Sequence, residues 1–344
     1  MLAVVAGAAA GAWAYRDDLL RLVGLRDRAG AVPGPTPTRA SPSPSPSPTP
    51  TPSPTPTREP KRRLVIHGTG DVNLDPSYIP NLAANGYGYA WTGVNGLFKR
   101  DDLTVINLEC AVSDLGAPVP KEFNFRCDTE ALPAARRAGV EVANLANNHS
   151  GDFGPEATVD SRRNVRGAGL RPVGVGRNAA QAAKPAFFEI KGWRIAVLGF
   201  GGVVPDLGWI AGPDHPGMAD GDTIPKMVQA VRRAKRHADL VIVTIHWGVE
   251  LDTAPRAEDV ARAHAMIDAG ADIIFGHHSH RLNPMGTYKG KPIAWGLGNF
   301  VWPNFSADGS RTAVAEVVVR PNGKIRGRLL PAYIEDAGHP VLQG

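Results

Sequence analysis

In the stretch NLANNHSGDFG, residues 144–154, two adjacent amides, a histidine and an acid follow an apolar run. Asn147, Asn148, His149 and Asp152 are residue types of a polar turn. They are also the types that would pair a neutral oxygen ligand with a proton donor. Similar groups recur along the chain: Asp71 in HGTGDVNLD, Glu109 in VINLEC, His246 in VIVTIHWG, and His278 and His280 in DIIFGHHSH. Taken singly, each has an ordinary structural use. Gly-Asp makes turns, and paired asparagines cap helices. Glu109 can be solvated, and a histidine closing an apolar strand can be satisfied in a core. His277, His278 and His280 within four positions are harder to place that way. Residues two apart in an extended chain share one face, so 278 and 280 are expected on one side of a strand.

Position links these groups. Short β-rich runs are expected at Leu64–His67, Leu103–Ile106, Val140–Asn144, Arg194–Gly199, Leu240–Ile245 and Asp272–Phe275. Amphipathic stretches lie between several of them, such as Ile224–His237 and Arg256–Ala269. Beyond residue 290 the chain reads mostly as strand: Pro292–Trp295, Ala313–Val319 and Ile325–Pro331. The pattern is an α/β domain with a β-rich C-terminal part. Each set of donors falls at a strand end, where α/β folds bind ligands. Carboxylates, an amide oxygen and three imidazoles do not make a closed thiolate zinc site. They suit two borderline divalent cations, Mn, Fe or Zn, sharing a bridging carboxylate. Two such ions about 3.5–4 Å apart can activate a water and clamp a phosphoryl group.

The ordered set Gly-Asp, Asn-Leu-Glu, Asn-Asn-His-x-x-Asp-x-Gly, His-Trp-Gly-x-Glu and His-x-His resembles the CapA family of capsule and poly-γ-glutamate synthesis proteins. That family is similar in fold to calcineurin-like metallophosphoesterases. The resemblance covers residues 62–334. It implies a four-layer α/β/β/α sandwich with metals held between loops at the strand ends. It also implies Asp71, Glu109, Asn148, His246, His278 and His280 as metal ligands, with His149 as proton donor. Where the metallophosphoesterases have Asp-x-His, this chain has Asp71-Val72-Asn73, and His277 displaces a glycine before His278. Asp152 is expected to orient His149 or to make a turn. Asn73, Asn107, Asn147, Glu250 and Asn299 are expected beside the ligands or in the cleft. Lys121 and Arg126 are expected either to meet an anionic substrate or to lie in a solvated loop.

The N-terminal part has a different character. Leu2–Tyr15 is uncharged and rich in Ala and Gly, and Ala12-Trp13-Ala14 has the small-x-small form of a cleavage site. Residues 1–22 are expected to be a signal or membrane-anchor segment, and residues 23–60 a disordered linker. From residue 33 the linker alternates Pro with Ser or Thr, with 12 prolines in 28 residues and nothing large enough to pack. Residues 61–344 are expected to fold. Residues 1–61 hold seven Lys or Arg against four Asp or Glu, and the remainder 31 against 29. No basic face of the kind nucleic acids need is found. Export places Cys110 and Cys127 in an oxidising compartment, where a disulfide is expected rather than buried free thiols. The expected function is that of an extracytoplasmic metal-dependent hydrolase. Its partner would be an anionic envelope polymer or its precursor. The alternative is a non-catalytic accessory or export protein that binds such a polymer.

Overall fold

The computed structural model describes Gly34 and residues 59–344. The expected signal or anchor segment, and the linker apart from Gly34, Glu59 and Pro60, lie outside the described residues. In chain order the elements are β1 (Leu64–Val72), α1 (Pro80–Asn85), β2 (Leu103–Leu108), α2 (Ala131–Ala138), β3 (Val142–Asn144), α3 (Gly154–Gly167), β4 (Arg171–Val173), β5 (Val175–Gly176), α4 (Ala179–Ala182), β6 (Ala186–Ile190), β7 (Trp193–Gly201) and β8 (Gly217–Met218). They continue with α5 (Ile224–Lys235), β9 (Leu240–His246), α6 (Ala257–Ala269), β10 (Ile273–His277), β11 (Met285–Tyr288), β12 (Lys291–Ala294), β13 (Asn299–Val301), α7 (Ala307–Ser310), β14 (Arg311–Val319), β15 (Ile325–Asp336) and β16 (His339–Leu342).

Two large sheets result. One runs β16-β15-β14-β1-β2-β3-β4, with β13 also pairing β1; the other runs β11-β12-β10-β9-β7-β6. Strand alternation explains how they layer. In β9, Leu240 and Ile242 join a core with Leu64, Ile66, Val105, Val317 and Phe275, so this face lies between the sheets. Val241, Val243 and Ile245 join a second core with Met227, Val231, Ala263 and Met266 of α5 and α6. A third core packs Leu132 and Ala135 of α2 and Val165 of α3 on the outer face of the first sheet. The layers are therefore helix, sheet, sheet, helix, as the resemblance implies. The two sheets approach closely: a Cβ on Gly68 would sit 2.7 Å from the Phe275 ring.

Several strands extend beyond the sequence expectation. β1 runs through Asp71, with a register shift between Gly68 and Asp71, so this carboxylate stands inside the strand and not after it. Gly70 lets β13 come alongside, because a Cβ there would lie 2.2 Å from the Gly298 carbonyl. A disulfide joins Cys110 and Cys127, whose Cα atoms are 5.8 Å apart, and closes the loop after β2.

Candidate metal centre

The expected donors converge between the sheet ends. Asp71 lies in β1, Glu109 just past β2, Asn148 and His149 past β3, His246 at the end of β9, and His278 and His280 past β10. Donor atoms of Asp71, Glu109 and His246 all lie within 4.8 Å of one another. Asn107 sits at their middle. Its Nδ2 lies 2.9 Å from Asp71 Oδ1, 3.2 Å from Glu109 Oε2 and 3.1 Å from His246 Nδ1. Its own oxygen accepts from Asn144 Nδ2 at 3.0 Å and Asn147 Nδ2 at 3.4 Å. One amide nitrogen has two hydrogens for three acceptors, so Asn107 spaces the donors without satisfying all of them.

A second cluster forms around Asn148. Its Oδ1 is 2.8 Å from His246 Nε2, and Glu109 Oε1 is 3.6 Å from that same nitrogen. The His246 and His278 rings lie 4.8 Å apart. On the far side, His280 Nδ1 is 3.3 Å from Asp71 Oδ2 and 2.8 Å from Asn299 Oδ1. The His278 backbone N–H donates to Asp71 Oδ2 at 3.2 Å.

The strand geometry expected at 278–280 is not what forms. β10 ends at His277, and His278 and His280 take positive φ values of 89° and 52°. Alternation does not apply in such a turn, and the two rings reach the centre by the turn's curvature, 6.1 Å apart. Left-handed backbone at non-glycine residues costs about 1–3 kcal/mol each and persists only where its surroundings enforce it.

The donor set fits divalent cations on two independent grounds. Glu109 Oε1, His277 Nδ1 and His278 Nδ1 are buried with no hydrogen-bond partner. Each such atom costs about 1–3 kcal/mol, an arrangement that a structural network would avoid. The charges also conflict. Burial, and then the charge of Asp71, push the Glu109 carboxyl well above its ordinary range. Burial alone would raise Asp71 too, but the bond from His280 and the neighbouring imidazoles hold it below its ordinary range. Two carboxylates this close therefore retain a proton between them unless a cation takes its place. Burial pushes His277 and His278 down to about 4 and His246 well below its ordinary value, keeping the imidazoles neutral as ligands require.

His149 stands at the edge of this centre. Its Nδ1 is 2.6 Å from Asp152 Oδ2, and its Nε2 is 4.0 Å from Glu109 Oε1. Burial lowers its pKa, opposed by Asp152. Phe125 stacks on the ring at 4.2 Å, and the Phe125 N–H donates to Asp152 Oδ2 at 2.8 Å. Lys121 Nζ donates to Asp152 Oδ1 and to the Asn148 carbonyl, both at 2.6 Å. Asn147 accepts from the His149 N–H at 3.1 Å and donates to the Leu108 carbonyl at 2.9 Å. Asn73 turns to the backbone: its Oδ1 accepts from the Asp75 N–H at 2.9 Å. Glu250 is exposed on the loop after His246.

Three contributors were not picked out by sequence reading: Asn144 behind Asn107, Phe125 against His149, and Trp302, whose ring lies 4.7 Å from His280. Asn144 belongs to the same motif and was within reach. The aromatics come from loops, and no spacing announces them.

Among solved structures, NAD nucleotidase of Haemophilus influenzae aligns with a TM-score of 0.47 and 13% identity, over 79% of this chain and 50% of that one. The chain is 31% identical over 281 residues to the capsule biosynthesis protein CapA of Bacillus anthracis, covering 80% of this chain and 68% of that protein. It is 34% identical over 211 residues to a probable polyglutamine synthesis accessory protein of Mycobacterium tuberculosis, covering 58% and 55%. The family model described as bacterial capsule synthesis protein PGA_cap matches residues 65–304. With that match spanning most of the folded part, the chain belongs to the bacterial capsule synthesis protein (PGA_cap) family.

Proposed function

We propose that this protein is an extracytoplasmic metal-dependent hydrolase acting on a phosphoester or another polar bond of an anionic envelope polymer or its precursor. The observation that carries the reading is the His149–Asp152 pair beside the ligand cluster. A pure binding site needs no oriented imidazole there. Glu109, Asn148, His246 and His278 would hold one ion, and Asp71 and His280 a second. Such ions supply Lewis-acid charge and lower the pKa of bound water. Asp152 accepts from His149 Nδ1–H and fixes the tautomer, leaving Nε2 facing the centre. When the ring takes up a second proton, Nε2 would carry the one delivered to a leaving group, and the proton released by the attacking water would restore it. Lys121 neutralises Asp152 and grips the Asn148 backbone, so one side chain steadies both acid and ligand. The external location is supported by the apolar N-terminal run and the Pro-rich stretch.

The test begins with metal content of the purified protein, then turnover of bis-p-nitrophenyl phosphate with added Mn. Asn148→Ala and His278→Ala should lower metal content. His149→Ala should keep the metal and lose about 10²–10⁴-fold in rate, most strongly on poor leaving groups. Equal metal content in wild type and both ligand variants would overturn the centre.

A second reading, a non-catalytic accessory protein that binds an anionic polymer, is favoured by Asn73. Its side chain caps a turn where the metallophosphoesterases place a ligand. Full metal loading with polymer binding, and no turnover on phosphodiesters, would decide for it.

A further inference from the structure

Among the described residues, Leu115, Phe123, Phe187, Leu207, Val249, Leu251 and Phe305 are the large apolar side chains left exposed. Exposed apolar residues scattered singly need no explanation. These are not scattered. Phe123 lies in the disulfide-closed loop that carries Lys121, and Val249 and Leu251 follow His246, whereas Leu115 lines a separate cleft with Glu156, Val159 and Arg163 of α3. Phe305 follows Trp302, and Leu207 lies in the turn whose Trp209 ring sits 5.5 Å from the Lys121 ammonium. Phe187, on β6, and Leu115 stand apart.

Ring contacts connect part of this rim to the centre. Phe125 stacks on His149 and Trp302 lies against His280, so aromatics flank the donors on two sides. Tyr78 touches both, at 4.5 Å and 5.9 Å, and reaches outward to Phe123 at 6.3 Å and Phe305 at 6.0 Å. The wall thus runs from the two histidines to Phe305, which is 77% exposed. On the loop after His246, the Leu251 N–H donates to the Ser279 carbonyl at 2.8 Å, tying aliphatic side chains to the His278–His280 turn.

We propose that this rim binds the hydrocarbon part of an amphiphilic ligand whose single anionic head enters the centre. The proposal rests on reading the centre as a receptor for an anionic group, and it narrows the substrate to a lipid-bearing precursor. Two observations favour a hydrocarbon chain over a polyanion. The basic side chains of the disulfide loop are engaged inward: Lys121 by Asp152, and Arg126 over the Phe153 ring at 3.7 Å. Exposed Glu122 and Glu250 stand on the same loops, where a long polycarboxylate would meet like charge. Aliphatic Leu207, Val249 and Leu251 suit a flexible chain better than a flat sugar face.

The test is calorimetric binding of octyl phosphate and ethyl phosphate to the full chain in Mn buffer without detergent, below micelle formation. Covering one methylene is worth about fourfold in affinity, so octyl phosphate should bind at least about tenfold tighter. Phe305→Ser and Leu251→Ser, both at exposed positions, should each shrink that ratio and leave ethyl phosphate unchanged. Equal affinities, no binding of octyl phosphate, or a ratio untouched by both variants would overturn the proposal. So would glucose 6-phosphate binding as tightly as octyl phosphate with the same sensitivity to substitution. Rim-dependent binding to phosphatidylcholine vesicles without a chain-length effect would assign the rim to a membrane surface instead. A chain-length effect without catalytic turnover would sink only the hydrolase reading; turnover without it would sink only this one.

Discussion

The carboxyls of Asp71 and Glu109 share one buried site, and their opposed shifts make the metal-free protein sensitive to pH. The folded pKa of Glu109 lies above its unfolded value. Between the two, the folded state binds a proton that the unfolded state has released, so stability is present at lower pH and falls as pH rises through the folded pKa. The buried imidazoles of His246, His277 and His278 act in the opposite sense up to about pH 6.5, so the Glu109 contribution is read as a difference: from about pH 5 upward the metal-free wild type should lose melting temperature relative to Glu109→Gln, a substitution that also abolishes metal uptake. A wild-type melting temperature that holds or rises relative to Glu109→Gln over the same interval would contradict the shared proton. Loading should also release protons, measurable as a buffer-dependent heat. At this scale much was legible, because Asp71, Glu109, Asn148, His246, His278 and His280 are chemical types that a core rarely gathers at strand ends. The inward role of Lys121 was not, since a loop lysine reads equally well as solvated or substrate-facing until its partner Asp152 is placed.

Elements explain which expectations needed revision. In β9 alternation separates the sheet–sheet face from the helix face, but periodicity says nothing past a strand's end. His278 and His280 therefore looked like strand neighbours when they belong to a positive-φ turn. Likewise β1 reaches Val72 because β2 and β13 both pair with its last residues, a tertiary event that local propensity does not record. The loop after β2 is the element with the most to lose. It delivers Phe125 and Lys121 to the acid pair, and the Cys110–Cys127 bridge closes it. A loop of this length is worth about 3 kcal/mol by chain entropy. Cys127→Ser should cost roughly that much in urea unfolding and should slow poor leaving groups more than good ones, because Asp152 loses its supports. Protein produced in an oxidising compartment should show no free thiol on denaturing alkylation. Full labelling of both cysteines without reductant would remove the bridge.

At the scale of the molecule, the sandwich depends on a close fit between two sheets. Gly68→Ala should force the Phe275 ring aside and cost about 1–3 kcal/mol by overpacking, read as a lower denaturant midpoint with an unchanged slope. No helix among the described residues is long and apolar enough to cross a membrane. The described cores draw only on residues from Leu64 onward. Deleting residues 1–58 should therefore leave a cooperatively melting protein, and aggregation or a broad transition on truncation would count against that boundary. The pairing of β1 carries one more consequence, in time rather than space. Asp71 lies on a strand whose neighbours include β13 and β14, residues 299–301 and 311–319. These strands are synthesised long after Asp71, so a nascent chain that has not reached them lacks the neighbours that hold this carboxylate in its strand. Chains cut before residue 299 should thus capture no metal, and any loading would have to wait for that pairing.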